Sequence, residues 1–495
     1  MKSVILLGVG PLPYQTDKTI FGPGVRTEQF VQAIISAGFK VDLFTMPFGK
    51  GKQEKKIEKV FEDSNLSHHS IYSSKYEIVN ILTDFCIQYK PVCIVTTTDV
   101  MANVGAQIKL ELPIWNDFYG LPMAEAQMLA FRYDSDEGLL GAWLRLLNVW
   151  RRGDKFSGAS MAQENAMVGI LSAVGRLNKY TAGYQFTHTI PPFIPEKKLE
   201  HTKDVLRSRG GVSPPSSQGR RDVAPTIKED DFLLLWQGGY NTWTDIETLF
   251  KGLELAMEKD EQIKYVSVGG KIDGHDEVTY PRFEQLVERS KFKDRFILLG
   301  WLPTGEVANY CLECDAGINI DAYSYEGIFG TRTRIMDWVN AKLPVITTAL
   351  CELAFDLGEK GLVETFPIGD SKTLSEKILK LAQNKSEAKS MAEKAYKYVK
   401  SVYNIKTTTE PLISWLQNPS LAPDNSQKVK DKILFDDSKF LHSLEELHKN
   451  QAQYIATIND LKKKLEKTER ELNTIKGKKS YKFYSSLINI LKGSK

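Results

Sequence analysis

Residues 321–348 read DAYSYEGIFGTRTRIMDWVNAKLPVITT, and they gather residue types able to hold a charged, hydroxylated ligand. The acid Glu326 opens a stretch with two glycines, Gly327 and Gly330, and Thr331, Arg332 and Arg334 follow. A second acid, Asp337, sits inside the next helix, and the apolar run Pro344-Val345-Ile346 closes the unit. A glycine turn that feeds a helix N-terminus presents backbone N–H groups to phosphate. Guanidinium groups beside it add charge, and an acid one or two helical turns further on can accept hydrogen bonds from sugar hydroxyls. The combination points to a pocket for a phosphorylated sugar or nucleotide. The plainer reading is a surface loop with incidental acids.

Four other segments carry chemistry-bearing residues. Gly22-Pro23-Gly24-Val25-Arg26-Thr27 follows a first apolar strand and precedes a helix expected from Glu28 to Ala37. A glycine turn there lets a ligand approach the backbone, and Arg26 could reach a phosphate or carboxylate. The strand 113–117 ends in Asp117, which could hold or deprotonate a sugar hydroxyl or simply cap the next turn. Asp99 follows strand 92–96. Trp236-Gln237-Gly238-Gly239-Tyr240 joins a strand to a helix, with backbone N–H groups of Gly238, Gly239 and Tyr240 available to an anion. Val268-Gly269-Gly270 and Gly300-Trp301-Leu302-Pro303 end two further strands. Trp301 could stack on a ligand ring or pack in the core. Cys311 and Cys314 form a lone C-x-x-C on an expected helix and read as structural, and Asp134-Ser135-Asp136 lies in a polar helical stretch away from any strand end. No metal site is expected.

The elements that must position these residues follow a βαβα rhythm. Strands are expected near 3–8, 41–45, 92–96, 113–117 and 186–189, then at 232–236, 263–268, 295–299, 315–320, 344–347 and 361–366. Such alternation means parallel sheets covered on both faces. The chain of 495 residues divides into a first α/β domain over 1–195, a linker or disordered insert at 196–230, and a second α/β domain over 231–418. Segment 207–226, RSRGGVSPPSSQGRRDVAPT, has too little apolar surface for a core. A net charge of +3 gives no global nucleic-acid footprint, and no run of about 18 apolar residues suggests a membrane span. Five cysteines without regular spacing fit a reducing compartment, so the expected address is the cytoplasm.

Beyond a polar linker at 419–437 the pattern changes. Phe440, Leu444, Leu447, Gln451, Tyr454, Ile458, Leu461, Leu465, Thr468, Leu472 and Ile475 alternate at spacings of four and three, the signature of a coiled coil over 438–476. A single helix packed on the body is the alternative. Residues 477–495 form a basic tail whose apolar positions share one helical face, suited to an anionic membrane surface or to plain solvation.

The segment from Glu326 to Ile346 resembles the donor-binding segment of GT-B glycosyltransferases, most closely family 4. Those enzymes place a second Glu seven residues before the Pro of a "PVI" strand; Asp337 holds that place here, and Glu326 lies farther off than usual. Where the family supplies an Arg and a Lys to the donor diphosphate, this chain has Gly239 and Thr244, and near Asp99 the family's His is missing. The resemblance spans about 1–417. It implies two facing Rossmann-like domains, with acceptor on the first and a nucleotide-sugar donor on the second, and no bound metal or other cofactor. Arg332 and Arg334 would replace the missing cations, Glu326 would meet the donor sugar, Asp337 the ribose, Trp301 the base, and Asp117 the acceptor. Transfer would go to a glycan or lipid-linked acceptor, as in surface polysaccharide synthesis, with retention of configuration. A same-fold epimerase or phosphorylase, or a catalytically inactive coiled-coil scaffold, are the rival expectations.

Overall fold

A computed structural model describes residues 2–48, 57–72, 75–195, 199–206, 227–426 and 438–477, with 483, 484 and 488. The insert expected at 207–226 and most of the basic tail lie outside the described residues. The chain forms two units, Met1–Lys432 and Ile433–Lys495.

The first unit holds two sheets. β1 (Ser3–Gly10), β2 (Lys40–Pro47), β3 (Ile57–Glu62), β4 (Leu66–Ile71), β5 (Ile94–Thr97), β6 (Ile114–Phe118), β7 (Lys155–Gly158) and β8 (Thr187–Thr189) pair in the order β3-β4-β2-β1-β5-β6-β7-β8. All pairings are parallel except that of β3 with β4. β9 (Phe232–Gln237), β10 (Ile263–Val268), β11 (Phe296–Gly300), β12 (Ala316–Asn319), β13 (Val345–Thr348) and β14 (Glu364–Phe366) form an all-parallel sheet ordered β11-β10-β9-β12-β13-β14. In that second sheet the order reverses beside β9, so a crevice opens at the carboxyl ends of β9 and β12.

The period-2 alternation of side chains explains why both faces are covered. Along β9, Leu233 and Leu235 enter one buried cluster, while Phe232, Leu234 and Trp236 enter another on the opposite face. Along β1, Val4 and Leu6 face one cluster and Ile5, Leu7 and Val9 the other. Strands buried on both sides lose the hydrophobic alternation that marks exposed sheets and read as continuous apolar runs.

The structure differs from expectation in three places. The sequence pattern missed β3, β4 and β7, because IEKVFE forms an exposed edge, LSHHSI is largely polar and KFSG has only four residues with one large apolar side chain. The helix placed at Glu28–Ala37 begins at Gly22, so Gly22-Pro23-Gly24 is its first turn and not a loop ahead of it. Proline is favoured there because a first-turn N–H has no intrahelical partner to lose. The stretches assigned to linkers also dock in part. Val205 and Leu206 are buried against the second sheet's helices, and Ala422, Asp424 and Asn425 are buried on the first domain. There Arg176 holds Asp424 at 2.8 and 2.9 Å. Leu412, Trp415 and Leu416 from the helix Glu410–Gln417 complete the first domain's core, with the Trp415 ring 5.5 Å from Trp115. The chain thus returns to the first domain after the second is built.

The second unit contains a helix of 40 residues, Ser438–Gly477. No helix among the described residues is long and apolar enough to cross a membrane.

Candidate active site

The glycines ending β9 and β10 let two backbones meet. Gly238 has φ +91° and Gly269 φ +139°, and a Cβ on Gly269 would lie 2.0 Å from the Gly238 carbonyl oxygen. Only glycine tolerates both the left-handed backbone and that approach. The same closeness consumes donors: the Gly238 N–H bonds to the Val268 carbonyl at 2.7 Å and that of Tyr240 to Gly270 at 3.1 Å. Two of the three N–H groups expected to face an anion are therefore already used. The Tyr240 side chain is core, its hydroxyl bonded to Tyr265 and Ser267 at 2.8 Å each.

Against this turn lies the helix Thr333–Asn340, which carries Arg334 and Asp337 on one side. The Arg334 guanidinium rests 4.2 Å over Trp236 and donates one bond of 3.3 Å to the Gly239 carbonyl. It forms no ion pair among the described residues. Burial pulls its pKa down to about 10, with Asp321 opposing that shift and Arg332 adding to it. Asp337 accepts from Gln237 Nε2 at 2.9 Å, and burial raises it to about 6 against the pull of Gln237 and Arg334.

Arg332 behaves differently from its neighbour. Its Nε donates to Asp321 Oδ1 at 2.9 Å and its Nη1 to the Thr331 carbonyl at 3.1 Å. Burial alone would lower its pKa, but the Asp321 and Glu326 carboxylates hold it above the usual value. Its charge is largely matched inside the protein, which corrects the expectation that both arginines stand open. Glu326 lies on a short helix, Tyr325–Phe329, whose N-cap Ser324 accepts from Gly327 N at 2.9 Å. Its carboxylate is 3.9 Å from Arg332 Nη1 and packs against Gly120, where a Cβ would meet it at 3.0 Å. Burial pushes its pKa up to about 8, Arg332 pulling against this.

The first domain's expected pair is closed on itself. Arg26 and Asp117 form a two-bond ion pair at 2.8 and 2.7 Å with no side-chain exposure. Arg26 also donates to the Ile190 carbonyl at 2.7 Å, and Ser157 Oγ to Asp117 Oδ1 at 2.6 Å. Neither charge reaches the cleft, so Arg26 is corrected from phosphate ligand to brace, and Asp117 from acceptor base to its partner. Gly22 abuts the Tyr119 ring, and Gly24 sits against the Pro11 carbonyl with no room for a Cβ. Asp99 starts a helix and lies 3.6 Å from Arg145.

Several contacts tie the two domains together around the crevice. Ser160 Oγ donates to the Phe329 carbonyl at 2.7 Å, and Arg132 Nη2 to the Thr242 carbonyl at 2.8 Å. Glu352 accepts from Met161 N at 2.8 Å. Thr304 N and Gly305 N bond to the carbonyls of Lys18 and Thr16 at 2.9 and 3.0 Å. Trp301 is half-buried between them: its indole N–H donates to the Lys271 carbonyl at 2.8 Å, and Phe21 lies 4.8 Å from its ring. Gly270 lies beside the same indole.

Sequence reasoning missed Asp321, Gln237, Trp236 and Tyr119. Asp321 follows β12 and Gln237 ends β9, so the strand-end rule applied to Asp117 would have found both. It also missed His201, Asp204 and Glu313, whose potential ligand atoms lie within 4.8 Å of one another. Glu313 there already accepts from Val205 N and Leu206 N at 2.9 and 2.7 Å, anchoring the segment.

Two Rossmann-like sheets, the second in the order 3-2-1-4-5-6, with the chain returning to the first domain at its end, define the GT-B fold of glycosyltransferases. Among solved structures the chain is similar to sucrose-phosphate synthase from Thermosynechococcus elongatus, at 16% identity and a TM-score of 0.61 over 84% of this chain and 98% of that one. It is also similar to HepE of Anabaena in complex with UDP and glucose, at 14% identity and a TM-score of 0.56 over 84% and 100%. A trehalose-6-phosphate synthase studied for glycosyl transfer with retention gives 11% and 0.56 over 84% and 99%. No family model matches the sequence, and neither does any curated protein.

Proposed function

We propose that the protein is a glycosyltransferase that takes a sugar from a nucleotide-sugar donor held by the second domain. One observation carries this reading. Among the described residues, five of the thirteen buried polar atoms without a protein partner belong to the segments that follow β9 and β12: Thr242 Oγ1, Glu326 Oε2, Arg332 Nη2, Thr333 Oγ1 and Arg334 Nη1. A buried polar group left unpaired costs about 1–3 kcal/mol, so such a concentration marks a place built to be completed by a ligand. Three kinds of group are offered: cationic donors, hydroxyls and one carboxyl. A sugar diphosphate uses all three.

In this reading Arg334 takes the diphosphate, with its guanidinium fixed over Trp236, and Arg332 contributes its remaining N–H. The Gly330 N–H is already held by the Glu326 carbonyl at 2.9 Å, so the peptide N–H groups on offer are those of Thr331 and the start of Thr333–Asn340. Glu326 meets a hydroxyl of the donor sugar and Asp337 the nucleotide ribose. Catalysis is positional and electrostatic: charge that develops on the departing diphosphate meets preorganised donors in a cleft closed against water. HepE in complex with UDP and glucose supports a uridine nucleotide as the first donor to try. Retention, independence from metal, a glycan or lipid-linked acceptor, a cytoplasmic address at the inner membrane face, and association of copies through the C-terminal helix belong to the same proposal.

The test is a thermal-shift panel of UDP-, GDP-, ADP- and CMP-sugars, followed by measurement of nucleoside diphosphate release. Protection by one nucleotide sugar, lost in Arg334→Ala, is expected. Absence of protection by every member would overturn the reading.

A further inference from the structure

We infer that the helix Ser438–Gly477 joins a second copy of this chain in parallel and in register. This rests on the proposed association of copies, and adds its direction. Within that helix Leu447, Tyr454, Ile458, Leu461, Leu465, Leu472 and Ile475 are each between 45% and 70% exposed, although they are its large apolar residues. Their four-three spacing puts Gln451, Ile458, Leu465 and Leu472 at a positions, and Leu447, Tyr454, Leu461, Thr468 and Ile475 at d. A seam that is apolar except at Gln451 and Thr468 therefore runs along the helix, and a partner helix with the same repeat would cover it.

The flanking charges and full coverage of the seam together choose the direction. In a parallel pair each g residue faces the e residue five positions later in the partner. Lys464 then faces Glu469 and Glu471 faces Lys476, each twice by symmetry, and no like charges meet. An antiparallel pair brings g against g and e against e. With full overlap, Lys464 meets Thr457, Glu471 meets Asn450 and Lys462 meets Ile455, so no opposite charges pair. Sliding by one heptad sets Lys464 against Lys464 and Lys462 against Lys462, and sliding by two, which pairs Lys464 with Glu471 and Lys462 with Glu469, leaves Leu447 and Tyr454 with no facing residue in the partner helix. Within one helix Lys464 pairs with Asp460 at 2.7 Å and Glu471 approaches Lys467 at 4.0 Å. These pairs are exposed on both partners, so they are weak and compete little with contacts to a second helix. A parallel arrangement also sends both basic tails from the same end of the coil.

Cysteine cross-linking of the full chain tests this directly, because Cys86, Cys93, Cys311, Cys314 and Cys351 are all buried. Under mild oxidation, Leu447→Cys alone and Leu472→Cys alone should each give a disulfide-linked dimer. If only a mixture of the two variants cross-links, the pairing is antiparallel: the direction is wrong while association stands. A monomeric mass by light scattering for the unmodified chain overturns both, and leaves the donor-site reading untouched. As a second measure that spares the apolar seam, Glu469→Lys with Glu471→Lys, and Lys464→Glu with Lys476→Glu, should each weaken self-association about tenfold or more. Mixing the two double variants should restore it. Unchanged self-association in both would overturn the parallel assignment.

Discussion

Each domain of the first unit places an arginine and an aspartate near the crevice, and the two sets do opposite work. In the first domain Arg26 and Asp117 satisfy each other completely and are sealed from solvent. In the second, Arg334 and Asp337 lie along one helix without forming an ion pair, and Arg334 keeps an N–H with no protein partner. Charge at the end of a strand is thus not enough to mark a site. What separates a brace from a binding group is how much of its hydrogen-bonding capacity the protein leaves unspent.

Exchanging the same substitution between the two arginines should give the largest effects and break the comparison if it is wrong. Arg26→Ala strands the Asp117 carboxylate in the core, and removing one partner of a buried pair costs about 3–5 kcal/mol. Chemical denaturation should show that loss, whether or not nucleotide is present. If the variant keeps wild-type stability and loses donor affinity, Arg26 is a ligand after all and the assignment fails.

Arg334→Ala should do the reverse. Losing a charge-assisted bond to phosphate costs about 1.5–3 kcal/mol, so donor affinity should fall tenfold or more by calorimetry with little change in stability. Arg334→Lys should restore only part of it, since an ammonium cannot lie flat over Trp236 or present the same fork. Equal donor affinity in all three forms would end the proposed role.

How far the sequence could show this depends on the kind of residue. The alternation of apolar runs with amphipathic stretches marked every strand of the second sheet, because strands such as Phe232–Gln237 are buried on both faces and carry a continuous apolar signal. β3 carries none, since its partner is a single antiparallel neighbour at the sheet edge. In the site, residue types and spacing drew notice to Glu326, Arg332, Arg334 and Asp337. They could not show which acid answers which base, because partners lie far along the chain: Arg26 and Asp117 are separated by 91 positions. The Asp321–Arg332 pair spans only 11, but a short helix and a turn lie between the two residues, so no single period along the chain links them.

The comparison sharpens further with pH. The Glu326 carboxyl, near 4.5 in an unfolded chain, titrates at about 8 in the fold because it is buried. The folded protein therefore holds a proton that the unfolded chain has released. Stability is full below about 4.5 and falls as pH rises towards 8, by up to about 1.4 kcal/mol per pH unit from this group. Glu326→Gln removes the titration, so its advantage over wild type should grow steadily between pH 5 and 8 in denaturant melts. A constant difference across that range would mean that Glu326 is ionised throughout, against Gly120 as well as Arg332.

The smallest effect concerns the seam between the domains. Glu352 of the second domain places its carboxylate at the N-terminus of the first domain's helix Met161–Ala173, 2.8 Å from Met161 N and 3.4 Å from Ala162 N. An acid at such an end is worth about 0.3–1 kcal/mol when exposed, and salt screens it. Glu352→Gln keeps the shape and removes the charge. If this contact helps hold the cleft shut, the variant should lose up to about fivefold in kcat/KM at low salt, and the loss should shrink as salt is added. Arg334→Ala should instead stay impaired at every salt concentration, because its target is enclosed. Identical salt profiles for the two variants would erase the distinction between a charge that steadies the domains and one that grips the ligand.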